Sequence, residues 1–96
     1  MDLNKGRVEA VAAVSDLARA RAFYEQQLGL PAGVEEDGGV RYAAAEGTAL
    51  FIYLSPENAG RSKATVAGWF VDDLDATVAE LAERGATFEP VSYTHL

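Results

Sequence analysis

The chain has 96 residues, 15 acidic against 8 basic side chains for a net charge of −7, and no cysteine. It is large enough for one small domain, and it has neither a disulfide framework, a thiolate nucleophile nor a Cys-type zinc site. The negative charge and scattered basic residues exclude nucleic acid as a partner. The lack of a long apolar run or a signal-peptide start argues for no membrane partner and a cytoplasmic setting.

In chain order, residues 1 to 6 form a loose start. Residues 7 to 14 alternate valine and alanine and run into Ser15-Asp16, so they read as a strand before a helix cap. In that strand Glu9, Val11 and Ala13 share one face, and Val8, Ala10, Ala12 and Val14 the other. A helix is expected from Leu17 to Leu28. Its apolar stripe is Leu17, Ala20, Phe23, Tyr24 and Leu28, its polar side carries Arg19, Arg21, Glu25 and Gln26, and Gly29 provides a left-handed stop. Three strands should follow: a short one over 30 to 36, a second over 40 to 45 entered through the turn Asp37-Gly38-Gly39, and a third over 48 to 55 after Glu46-Gly47. Residues 56 to 63 are rich in turn formers and read as a linker.

Beyond the linker the grammar repeats. Residues 64 to 71 occupy the place of a strand, Asp72-Asp73 that of a cap, Leu74, Val78 and Leu81 that of an apolar stripe, and Gly85 that of a stop. Val14 answers to Val71, Asp16 to Asp73 and Leu17 to Leu74 at an offset of 57 positions. A strand-plus-helix unit recurring at a fixed period implies two copies of one supersecondary motif, neither of which buries its apolar face alone. Asp72, Asp73 and Asp75 read as cap and first-turn charges facing the helix dipole rather than as a metal loop. Trp69 is expected between sheet and helix, and Tyr24, Tyr42 and Tyr53 in the core or in a pocket wall.

Val14-Ser15-Asp16-Leu17, Phe23-Tyr24 and Leu28-Gly29-Leu30, taken with Trp69-Phe70-Val71-Asp72-Asp73-Leu74-Asp75-Ala76 and Glu80-Leu81-Ala82-Glu83-Arg84-Gly85, resemble the vicinal oxygen chelate superfamily of glyoxalases, bleomycin resistance proteins and extradiol dioxygenases. The resemblance implies an α+β fold of paired βαβββ modules whose concave sheet forms a cup. Module one is expected over about 7–56, the linker over 56–63, and a partial module two, cut after its helix, over 64–90. It also implies a homodimer for a complete chain. An exposed sheet edge on the incomplete one would invite aggregation or swapping.

The family's metal-dependent members hold one divalent ion in the cup, with the first ligand seven residues before the aspartate that opens the helix. That position is Glu9 in module one. In module two it is Val66, which has no donor atom, and along 48 to 55 Tyr53 alone offers oxygen. A hard cation requires several converging oxygens, so neither a metal nor another cofactor is expected. The lining residues expected are Glu9, Val11, Tyr53, Val66, Gly68 and Phe70, mostly apolar with Glu9 as an isolated polar group. The expected function is metal-free binding of a small, partly apolar molecule. The alternatives are a metal-dependent lyase, isomerase or dioxygenase of the same superfamily, and a surface role at a dimer contact, so enzymatic activity stays open. His95 lies in Val91-Ser92-Tyr93-Thr94-His95-Leu96, a hexapeptide similar to one reading frame of the mosaic-end adaptor used in sequencing libraries. Residues 91–96 are therefore expected to be an artefact, with native coding sequence ending near Pro90.

Overall fold

The computed structural model describes residues 2–62 and 66–88. Four strands and two helices make a small α+β unit: β1 (Glu9–Val14), α1 (Leu17–Arg21), β2 (Val34–Glu36), β3 (Gly39–Ala43), β4 (Ala49–Leu54) and α2 (Leu74–Glu83). The sheet order is β1-β4-β3-β2. The hairpins β2-β3 and β3-β4 are antiparallel, and β4 returns parallel to β1, so the first unit is the expected βαβββ.

Each element follows from local chemistry. Asp16 caps α1 by accepting the Arg19 amide at 3.1 Å, and Asp73 caps α2 by accepting the Ala76 amide at 3.0 Å, each satisfying a donor of the first turn. Asp37-Gly38 makes the two-residue turn between β2 and β3, with Gly38 at φ 78°, a left-handed conformation that glycine takes without strain. The alternation of β3 and β4 puts Val40, Tyr42, Leu50 and Ile52 on one face. These four are buried, and Ala10, Ala12, Val14, Leu17, Ala20, Tyr24 and Leu30 pack against them.

The first helix departs from its expected form. It is α-helical to Arg21 and then π-helical over Ala22–Gln27 before the stop at Gly29, φ 76°. The repeat itself accounts for the difference: Gly29 stands thirteen positions after Asp16, whereas Gly85 stands twelve after Asp73. One extra residue between a fixed cap and a fixed stop is absorbed by a wider turn. That turn shifts the stripe, so Leu17, Ala20 and Tyr24 stay on the core while Phe23 turns half outward and stacks edge-on to Tyr24 at 5.0 Å. It also carries Glu25, expected on the solvent side, to a half-buried position where it meets Arg21. The two helices meet at their C-terminal ends, where the Arg84 guanidinium lies over Gly29 and the Gln27 amide lies near Gly85.

The second strand of the repeat does not form. Of residues 64–71, the first two lie outside the described residues, and 66–71 carry no strand. Among the described residues β1 pairs only with β4, so its outer edge is open, and residues 66–71 make no ladder with it; β propensity without ladder hydrogen bonds does not make a strand. Ala67 packs on the core while Phe70 is fully exposed. Trp69, expected between sheet and helix, is 47% exposed. Residues 87 and 88 carry no strand, and residues 89–96, with His95, lie outside the described residues.

Candidate functional site

Opposite the core, β1 presents Glu9, Val11 and Ala13, β4 presents Ala49, Phe51 and Tyr53, and β3 presents Gly39, Arg41 and Ala43. The register places Val11 beside Phe51 and Phe51 beside Arg41. β2 adds Glu36, opposite Gly39. This is the face the cup was expected to use.

Its polar centre is Arg41. The Arg41 side chain crosses β4 to Glu9, donating from Nε to Oε1 at 2.9 Å and from Nη2 to Oε2 at 3.0 Å, the forked geometry of a strong guanidinium–carboxylate pair. Its Nη1 is paired with Glu36, and its guanidinium carbon sits 5.2 Å from the centroid of the Phe51 ring. The Arg41 hydrogen bonds hold the Glu9 carboxyl below its ordinary pKa, and the Arg7 charge adds to that. Arg41 and Glu36 were not among the expected site residues. Their signal was present in the alternation: with Val40 and Tyr42 turned to the core, Arg41 must share a face with Glu9.

A second network ties the π turn to the sheet. The Tyr42 hydroxyl donates to Glu25 Oε2 at 2.8 Å, Arg21 Nε donates to the same oxygen at 2.8 Å, and Arg21 Nη1 reaches Glu35 at 3.0 Å. Burial, and then the hydrogen bond to Glu25, push the Tyr42 phenol up to about 12. Tyr42 is almost wholly buried. It is therefore a structural tie and not a proton donor at neutral pH.

The six expected lining residues fall into three clefts. Val11, Tyr53 and Val66 share one of about 520 Å³ that wraps the outer edge of β1, together with Ala13, Tyr24 and Trp69. Glu9 lines a second of about 820 Å³ with Arg7, Val11, Arg41 and Thr48. Gly68 and Phe70 face a third, beside Val8, Ala10 and Leu50 on the opposite face of β1 and β4.

Among the described residues the donors on this face do not fit a divalent cation: its two carboxylates, Glu9 and Glu36, both hold Arg41. Glu9 is engaged by a guanidinium, Val66 has no donor, and Tyr53 contributes one phenol. Among the described residues no three His, Cys, Asp or Glu side chains come together as metal ligands.

A family model for the glyoxalase/bleomycin resistance protein/dioxygenase superfamily matches residues 7–95. The chain belongs to that superfamily. Among solved structures, it is similar to a glyoxalase/bleomycin resistance protein from Catenulispora acidiphila DSM 44928, with 33% identity over 82% of this chain and 69% of the other and a TM-score of 0.64. It also shares its fold with a bleomycin resistance determinant encoded on the transposon Tn5, with 19% identity over 93% of this chain and 72% of the other and a TM-score of 0.61. No curated protein matches the chain. Among the described residues no helix is long and apolar enough to cross a membrane.

Proposed function

We propose that this chain binds a small, partly apolar molecule along the outer edge of β1 without a catalytic metal. The observation that carries the reading is the lining of the 520 Å³ cleft, where Val11, Ala13, Val66 and Trp69 supply apolar surface while Tyr53 and Asn58 supply a few polar atoms. The neighbouring cleft places the Glu9–Arg41 pair beside it through the shared residue Val11. The similarity to a glyoxalase/bleomycin resistance protein and to a bleomycin resistance determinant is consistent with such a role. Lyase or dioxygenase chemistry of this superfamily runs through a metal that polarises substrate oxygens, and the donors on this face are spent on one another.

The test is protein-observed NMR, amide and side-chain correlation spectra of isotope-labelled, EDTA-treated chain titrated with a panel of small aromatic and aliphatic fragments. Fragments that bind are expected to shift Val11, Ala13, Tyr53 and Trp69 resonances. Binding that requires an added divalent ion, or shifts confined to other residues, contradicts the proposal.

A further inference from the structure

The Glu9–Arg41–Glu36 arrangement is a closed electrostatic unit on the sheet face. Glu9 belongs to β1, Arg41 to β3 and Glu36 to β2, so one guanidinium joins three strands from above the intervening β4. The Phe51 ring beneath it, 5.2 Å from the guanidinium carbon, fixes its height over the sheet. A guanidinium never loses its charge in a protein and presents a rigid fork, so it is a permanent cation with a fixed place.

We infer that Arg41 is the resident cation of this face: it takes at Glu9 the place a divalent ion would need, and so sets the cleft to accept organic ligands and exclude metal. A divalent ion reaching Glu9 must first displace a bidentate partner and then face the displaced positive charge at short range. The Nη1 and Nη2 atoms each carry a second hydrogen beyond those given to Glu36 and Glu9. Those hydrogens suit an acceptor oxygen, a carbonyl or carboxylate, on the polar end of a ligand seated against Val11. The inference rests on reading this face as a binding site, and it adds the residue that determines which chemistry the face admits.

The test uses manganese(II) alone as the probe and reads paramagnetic broadening of the Glu9, Glu36 and Phe51 amides. In Arg41→Met, which keeps an apolar stem over Phe51, the freed Glu9 and Glu36 carboxylates are expected to gather the ion. Broadening should begin at a concentration at least about tenfold lower than in the native chain, and Arg41→Met/Glu9→Gln should lose that gain. Arg41→Lys, which keeps a positive charge, should behave like the native chain. Equal broadening in native and Arg41→Met chains, or none in either, overturns the inference. A second reading does not depend on the variant's folding: the Arg41 Nε–H of the native chain should be protected from exchange, and Glu9→Gln should speed that exchange at least about tenfold. An unprotected Nε–H in the native chain also overturns it. Failure of either arm leaves fragment binding by EDTA-treated chain untouched, so the two readings fail separately.

Discussion

Gly39→Ala is expected to destabilise the chain by about 3 kcal/mol or more, at the upper end of what an added methyl costs in a packed site. Gly39 opens β3 and pairs with Glu36 on one side and Tyr53 on the other. A Cβ built there runs into the Ile52 carbonyl, which is backbone and cannot swing aside, and into the edge of the Phe51 ring. Relieving the clash means parting β3 from β4 or moving the ring that supports Arg41. The matched control is Gly68→Ala, whose added Cβ meets nothing within 4 Å. Urea unfolding of both variants checks this. A loss under about 1 kcal/mol for Gly39→Ala would show that the strand pair yields more easily than its register implies.

Ile52→Ala is the second large effect, about 3 kcal/mol, from lost transfer energy and the cavity left behind. Ile52 is fully buried (0% exposed) on β4, which lies between β1 and β3, so backbone on both sides limits collapse into the void. The buried apolar set among the described residues is only Val40, Tyr42, Leu50 and Ile52, so the loss falls on a small total. In a domain of this size each kcal/mol shifts the midpoint by several degrees, and a fall of about 15 °C in Tm is expected. Calorimetric or circular-dichroism melting decides it. A shift below about 5 °C would mean that the core is not organised around β4.

Much of this fold was legible because its signals are local. Asp16 and Asp73 announce helix starts by chemistry that acts within three residues, Gly29 and Gly85 announce stops through a backbone conformation, and Asp37-Gly38 fixes a hairpin. The π turn was also written in the sequence, as the one extra residue between Asp16 and Gly29, but the apolar spacing alone suggested a continuous α-helix. Residues 66–71 show where local signals fail. Valine and aromatic content favour a strand, yet these residues form no ladder even with the open outer edge of β1, so composition alone does not make one. The strand alternation placed Val11 and Tyr53 on the face opposite the core. In the polar half of the candidate site the alternation put Glu9 and Arg41 on one face but could not show that they pair, because they lie 32 positions apart across an intervening strand. Only the strand order brings them together.

The central claim, that this face binds organic matter with Arg41 where a chelating cup would hold metal, is tested most directly by calorimetric titration of the chain with nickel, zinc, manganese and iron(II), beside Glu9→Gln. The account predicts no stoichiometric binding of any of the four, and the same weak heats in the variant. Binding of one equivalent in the micromolar range that disappears in Glu9→Gln would contradict it.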